Sequence, residues 1–381
     1  MLGKVATPTW NISPTQLLAG WWNVLNGRPP MLSIEITREC PLNCPGCYAY
    51  GEQHLGVGAP TLRELNDLRG EALVNGVLDL VRKHRPIHVS LVGGEPMLRH
   101  KELSRILPAL GQMGVHTLLV TSAVIRVPEE WMAIPRLRVA VSVDGLPEHH
   151  DIRRKPATYE RILRNIRGCT VNIHWTIIRS MLGRSGYLEE YLSFWSRRPD
   201  VNRIWASIYS PQVDEHTPQM LTREDRLALV DQLLCLKERF PKFLINDGIA
   251  SAFLKPPQTP NECLFSKMST NYTADLETRI EPCVLGGAPD CTHCGCVASV
   301  GLHWVNSVGV AGALKIGHVV RASMAVGHIA AQIRQDILPL PRWERSIEPC
   351  NRDSSLVKIA GVTSGSDIAG GVTDTVVRRN S

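Results

Sequence analysis

The chain has 381 residues, 44% of them hydrophobic and 20% charged, enough for one large domain or two smaller ones. A net charge of +6 is mild for this length, and no dense Lys/Arg tract accompanies it, which argues against a nucleic-acid partner. The opening residues lack a charged n-region followed by an apolar h-region, and no uncharged apolar run of about 18 residues occurs, so the expectation is a cytoplasmic protein without a membrane span.

In chain order, residues 1–30 read as an N-terminal extension in which Trp21 and Trp22, beside Gly20, are placed to cover an open barrel edge. Six β-branched runs follow, at 31–37, 88–94, 116–123, 138–145, 170–178 and 201–209. Amphipathic stretches alternate with them at 61–84, 101–113, 157–167, 186–197 and 222–239, the last opening on Thr222 as N-cap before an acidic first turn. This alternation predicts an α/β fold of βα units with a parallel sheet, a partial (β/α)6 TIM-like barrel over 31–254. The Pro-rich stretch 255–260 reads as a linker, and 255–305 as a small cysteine-rich domain organised by metal. Residues 306–350 read as a helical segment. Within 317–338, Val326, Ile329, Ile333 and Ile337 recur at helical spacing, as in a helix docked on the barrel or, less simply, one lying on a membrane. From Asn351 the tail is rich in Ser, Gly, Thr and Asp without aromatic residues, a composition that predicts disorder.

Eleven cysteines in a reducing compartment read as metal ligands or redox groups before disulfides. Cys40, Cys44 and Cys47 stand directly after the first strand, where barrels of this kind gather their chemistry. Three thiolates can hold a four-iron cluster and leave one iron open to a ligand. Zinc is the alternative, with His54 as the nearby fourth donor. Cys263, Cys283, Cys291, Cys294 and Cys296 form a second group, and the segment between Cys263 and Cys283 reads as a small hairpin turning at Asp275 to Glu277. Five cysteines suffice for one four-iron cluster, with Cys296 as the substitute ligand, or for a tetrahedral zinc. His293 reads as a bystander, Cys169 and Cys235 as small buried apolar groups, and Cys350 is unassigned.

The triad spacing, together with Gly93, Gly94, Glu95 and Pro96 after the second strand and the segment VSVDGLPEHHDIRR at 141–154, resembles the radical S-adenosylmethionine (SAM) superfamily. The second cysteine group resembles the twitch or SPASM auxiliary-cluster extension of that superfamily. The resemblance covers roughly residues 30–300 and implies a [4Fe-4S] cluster on the triad, SAM chelated to its open iron, and a second, auxiliary [4Fe-4S] cluster. It implies that Gly93, Gly94, Glu95 and Pro96 line the SAM amino group and that Ser142, Asp144 and Arg153 fall at family-like positions. Ser122 and Ser142, after the third and fourth strands, read as partners of the ribose hydroxyls or the methionine carboxylate or as caps of the turns that follow, and Arg153 as a carboxylate clamp or a surface salt bridge. It departs at Gly46, where the family often has an aromatic residue before the third cysteine, and Tyr48 is the candidate to take over part of that role. The implied activity is reductive cleavage of SAM to a 5'-deoxyadenosyl radical that abstracts hydrogen from an organic substrate, as a net oxidation or a peptide or natural-product modification. A reductant such as ferredoxin or flavodoxin would supply the electron. Chemistry on a lipid or isoprenoid substrate is the alternative within the family, and a zinc-stabilised, non-catalytic binding protein the alternative outside it.

Overall fold

In the computed structural model, residues 13–50, 54–55 and 66–333 are described. The expectations for 334–338, Cys350 and the tail, and for the first residues of the 61–84 helix, lie outside them.

All six expected strands form, as β1 (Met31–Glu35), β2 (His88–Val92), β3 (His116–Thr121), β4 (Leu137–Ser142), β5 (Val171–Ile177) and β6 (Val201–Ile208). They pair in parallel in the order β6-β5-β4-β3-β2-β1. Along each strand one face, with Ile34, Leu91, Leu119, Val141, Ile173 and Ile204 among its residues, is fully buried and belongs to the main core shared with the helices. Each such side chain contributes about 1.5–3 kcal/mol.

Crossover helices run between the strands: α2 (Gly70–His84), α3 (His100–Gln112), α4 (Pro147–Arg153), α5 (Tyr159–Asn165) and α6 (Tyr187–Ser196), preceded by α1 (Pro14–Leu25). After β6 come α7 (Arg223–Lys237) and α8 (Asp247–Leu254). Thr222 caps α7 as its sequence predicts, accepting from the Asp225 amide while the Asp225 carboxylate accepts from the Thr222 amide.

The sheet has a seventh strand. β7 (Ser269–Tyr272), preceded by the short α9 (Leu264–Met268), lies parallel to β1. The segment read as a hairpin therefore gives its first arm to the barrel sheet and returns through a turn held by the Asp275 side chain. The Thr273 amide donates to the Thr278 carbonyl and the Ile280 amide to the Asn271 carbonyl. Four residues cannot display a period, which is why the strand was not legible. The chain continues through α10 (Val297–Ser307), a two-stranded ribbon of β8 (Gly309–Ala311) and β9 (Leu314–Lys315), and α11 (Ile316–Ile333).

Helix α1 packs against the ends where the strands begin. The Asn23 side chain donates to the Arg85 carbonyl at 2.6 Å, and Gly20 rests on Ile87. Trp21 and Trp22 point outward, and Trp22 is 67% exposed.

Candidate active site

Everything that positions the triad loop is local to the ends of β1 and β2. The Asp67 carboxylate takes the Thr37 hydroxyl at 2.6 Å, the Arg38 amide at 2.8 Å and the Arg38 guanidinium at 2.7 Å, fixing the chain as it leaves β1. The next turn is strapped to Gly94 and Glu95, whose amides donate to the carbonyls of Thr37 and Glu39 at 2.7 and 2.8 Å. Only glycine permits this approach. A Cβ on Gly94 would stand 2.3 Å from the Glu39 carbonyl oxygen, and Gly93 has φ +133°, closed to other residues. The Gly-Gly-Glu-Pro run thus lies directly beneath the segment carrying Cys40, Cys44 and Cys47.

The Glu95 carboxylate is buried and accepts from the amides of Met97 (3.0 Å) and Ser122 (2.8 Å) and from the hydroxyls of Thr121 (2.6 Å) and Ser122. Four donors fill its acceptor capacity. It clamps the end of β3 to the β2 turn. Pro96, buried, starts the single helical turn that follows.

On the opposite flank, Asp144 after β4 is fully buried and joined to Arg153 at 2.9 Å and Arg154 at 2.7 Å. Arg153 also donates to Gln219. Three tyrosine hydroxyls hold this turn. Tyr191 donates to the Val143 carbonyl and Tyr159 to the Gly145 carbonyl, while Tyr187 accepts from the Leu146 amide. Ser142, at the end of β4, is buried beside it.

Arg154, which sequence reading passed over for Arg153, acts electrostatically on both Cys44 and Cys47. Burial nonetheless pushes the Cys47 thiol up to about 11 and raises that of Cys44. Thiolates at this depth form when a cation replaces their protons.

Gly46 has φ +67°, and a Cβ there would lie 2.3 Å from the hydroxyl of Tyr209, a buried residue just after β6. Tyr209 fills the space a side chain at 46 would need, so the ring that covers this position comes from the far end of the sheet. Gly46→Ala is expected to cost about 1–3 kcal/mol. Part of this should be recovered in a Gly46→Ala/Tyr209→Ala double variant, read from denaturant midpoints.

The second cysteine group docks on the same end of the barrel. The Ile208 amide donates to the Gly295 carbonyl at 2.9 Å, and the Gly295 amide to the Ser210 hydroxyl at 2.8 Å. Cys263, Cys283, Cys291, Cys294 and Cys296 all line one cavity, walled by Phe265, Leu285 and prolines. Burial pushes Cys291 and Cys296 up to about 12 and Cys283 well above its ordinary value. His293 is half-exposed and paired with Asp290 at 2.6 Å.

Among the described residues, no three His, Cys, Asp or Glu side chains converge tightly enough to hold a single metal ion. Tetrahedral zinc needs sulfurs about 4 Å apart.

Arg226 in α7 buttresses this loop, donating to the carbonyls of Phe253, His293 and Cys294 while 5% exposed. Arg226→Met keeps the stem but removes these bonds. It is expected to destabilise by about 2–4 kcal/mol, measured from denaturant midpoints.

Between the two cysteine groups lies a cleft of about 230 Å³, lined by Cys47, Tyr48, His54, Tyr209, Gln212 and Glu215, and sharing Ser210 with the five-cysteine cavity. Burial, together with the neighbouring Cys47, Glu35, Cys296 and Cys283, pushes the Tyr48 hydroxyl above its ordinary value. His54 bonds to Glu35 of β1 at 3.1 Å and to the Leu285 carbonyl at 3.2 Å, linking the triad side to the loop after Cys283. The Tyr209 hydroxyl donates to Glu215 at 2.5 Å.

Residues 34–185, which carry the triad, the Gly-Gly-Glu-Pro turn and Asp144, match the family model described as the Radical SAM superfamily. This stretch of the chain is a radical SAM domain. It is an enzyme, and the family implies a [4Fe-4S] cluster and SAM, for which the three half-buried thiols on one strapped loop are a fitting donor set.

A PqqA peptide cyclase of Bradyrhizobium diazoefficiens is 34% identical over 125 residues, 32% of this chain and 30% of that one. Less than a third of that relative's length is therefore matched. Among solved structures, Streptococcus suis SuiB bound to its precursor peptide SuiA superposes with a TM-score of 0.50 at 14% identity, over 68% of this chain and 60% of that one. The structure of anSMEcpe with bound AdoMet gives 0.50 at 13%, over 80% and 97%. These likenesses establish the fold.

Proposed function

We propose that this radical SAM enzyme abstracts hydrogen from a peptide substrate presented in the cleft between Cys47 and Ser210, in a net oxidation assisted by an auxiliary [4Fe-4S] cluster on the second cysteine group. The observation that carries the reading is the convergence of five cysteines on one cavity that shares a wall with a cleft reaching the triad. When bound, the triad cluster supplies the electron that splits SAM into methionine and the adenosyl radical.

The chain's own part is positioning and exclusion. Arg154 offsets the negative charge of the triad thiolates, and Tyr209 closes the space over Gly46. The Glu35–His54 pair holds the two cysteine regions in register, which keeps the cleft narrow and restricts water and stray hydrogen donors. Cys263, Cys283, Cys291 and Cys294 are the proposed auxiliary ligands, with Cys296 as substitute. A cluster held by these cysteines would supply an electron acceptor for the net oxidation. Gly93, Gly94, Ser122, Ser142, Asp144 and Arg153 are proposed to shape the SAM site, directly or by holding its walls.

A cleft of about 230 Å³ is below the roughly 300–1,000 Å³ of whole-ligand sites. It suits one residue-sized part of a larger substrate. The PqqA cyclase and the peptide-bound SuiB lend the peptide class support.

The test is a Cys283→Ala/Cys294→Ala variant assayed with precursor peptides encoded beside the gene and deuterated at candidate positions. Wild type should transfer deuterium into 5'-deoxyadenosine and release oxidised peptide, whereas the variant should lose about four irons, still cleave SAM and release no oxidised peptide. Unchanged iron and product in the variant would refute the auxiliary-cluster role.

A further inference from the structure

We infer that the surface formed by α1 and α11 docks this enzyme peripherally on an anionic lipid bilayer. On α1, Leu17, Leu18 and Trp22 are 56%, 70% and 67% exposed, with Trp21 at the margin. These positions share one helical face, while Gly20, Asn23 and Val24 on the other are buried. On α11, Val326 and Ile329 are 54% and 55% exposed and lie three residues apart. The two helices meet backbone to backbone, since a Cβ on Gly327 would stand 2.0 Å from the Val24 carbonyl oxygen. Their apolar faces thus belong to one rigid unit, which the ribbon before α11 extends with exposed Val310 and Leu314.

Charge selects the occupant. Residues 13–34 and 291–333 contain no Asp or Glu, although the chain holds 36 and its average would place about six there. Arg28, Lys315 and Arg321 lie in the same segments. An apolar face with tryptophans, cationic rim and no acid complements a bilayer whose headgroups are anionic and whose interface accepts indole rings. A second copy fits poorly, because self-pairing would set Lys315 and Arg321 against like charges with no carboxylate between them.

Among the described residues no helix is long and apolar enough to cross a membrane, so the contact is with the surface. Because α1 sits where the strands begin, the triad at the opposite strand ends stays clear of the membrane, and the cleft remains open to a substrate delivered from water.

The experiment is flotation of the full-length holoenzyme with vesicles of phosphatidylcholine alone or in equal parts with phosphatidylglycerol. Wild type should float with the anionic vesicles and release at high salt, about 0.5 M. Trp22→Glu/Val326→Glu should lower the bound fraction about tenfold with iron content and SAM cleavage unchanged. Lys315→Glu should weaken binding only to the anionic vesicles. Failure to bind either vesicle, or binding indifferent to Trp22→Glu/Val326→Glu, would overturn the inference. So would a dimer that the same substitutions dissociate without any vesicle binding, which would assign the face to a second copy.

Discussion

Alanine at Asp144 is expected to destabilise the enzyme by about 3–5 kcal/mol, because it leaves two largely buried guanidinium groups, Arg153 and Arg154, without their shared carboxylate. It also removes the acceptor for the Thr176 amide, one of the bonds that join the ends of β4 and β5. Asp144→Asn keeps that shape and should cost less, yet still leave Arg154 free to swing away from Cys44 and Cys47. Denaturant midpoints with unchanged slopes would measure both. A loss below about 1 kcal/mol for Asp144→Ala would mean the arginines find other partners.

The same site sets an acid limit. Burial opposes ionisation of Asp144, but Arg154 and Arg153 outweigh it and hold the carboxyl well below the usual range. A depressed folded-state value adds stability that is fully present above the unfolded value, about 3.9, and is lost as pH falls below it towards the folded value. Wild type should therefore lose stability on acidification more steeply than Asp144→Asn.

The second large effect is on chemistry. Cys44→Ala should abolish reductive SAM cleavage and lower bound iron by about four per chain, with the fold retained, since Cys44 is half-exposed at the margin of a small cluster formed by Leu42, Val124 and Ala157. A partly active Cys44→Ala enzyme would transfer the ligand role to another cysteine. Cys169 and Cys235 are useful contrasts, standing respectively in the core with its thiol donating to the Val127 carbonyl and on the exposed face of α7. Alanine at Cys235 should leave iron and cleavage untouched.

Much of this was legible in the chain itself, for local reasons. The six parallel strands announce themselves because each is long enough to show β-branched enrichment between amphipathic stretches. The Thr222 cap is a contact between near neighbours. The triad is readable because its ligands are separated by only a few residues.

What escaped depends on contacts distant in sequence. β7 is a strand only because β1 offers it an edge. Arg154 matters through its proximity to a loop more than a hundred residues earlier, and Gly46 makes sense only once Tyr209 is seen above it. Arg226 looks like an ordinary helix residue until the carbonyls of Cys294 and His293 arrive at its guanidinium. His54, read as a possible zinc donor, is occupied by Glu35 and Leu285. Trp21 and Trp22 face outward because the buried side of α1 is taken by its smaller residues.

The most direct test is anaerobic reconstitution of the full chain with iron and sulfide, followed by SAM and dithionite. About eight irons per chain are expected, with methionine and 5'-deoxyadenosine appearing in equal amounts. One or two zinc ions per chain with SAM left intact would contradict both expectations.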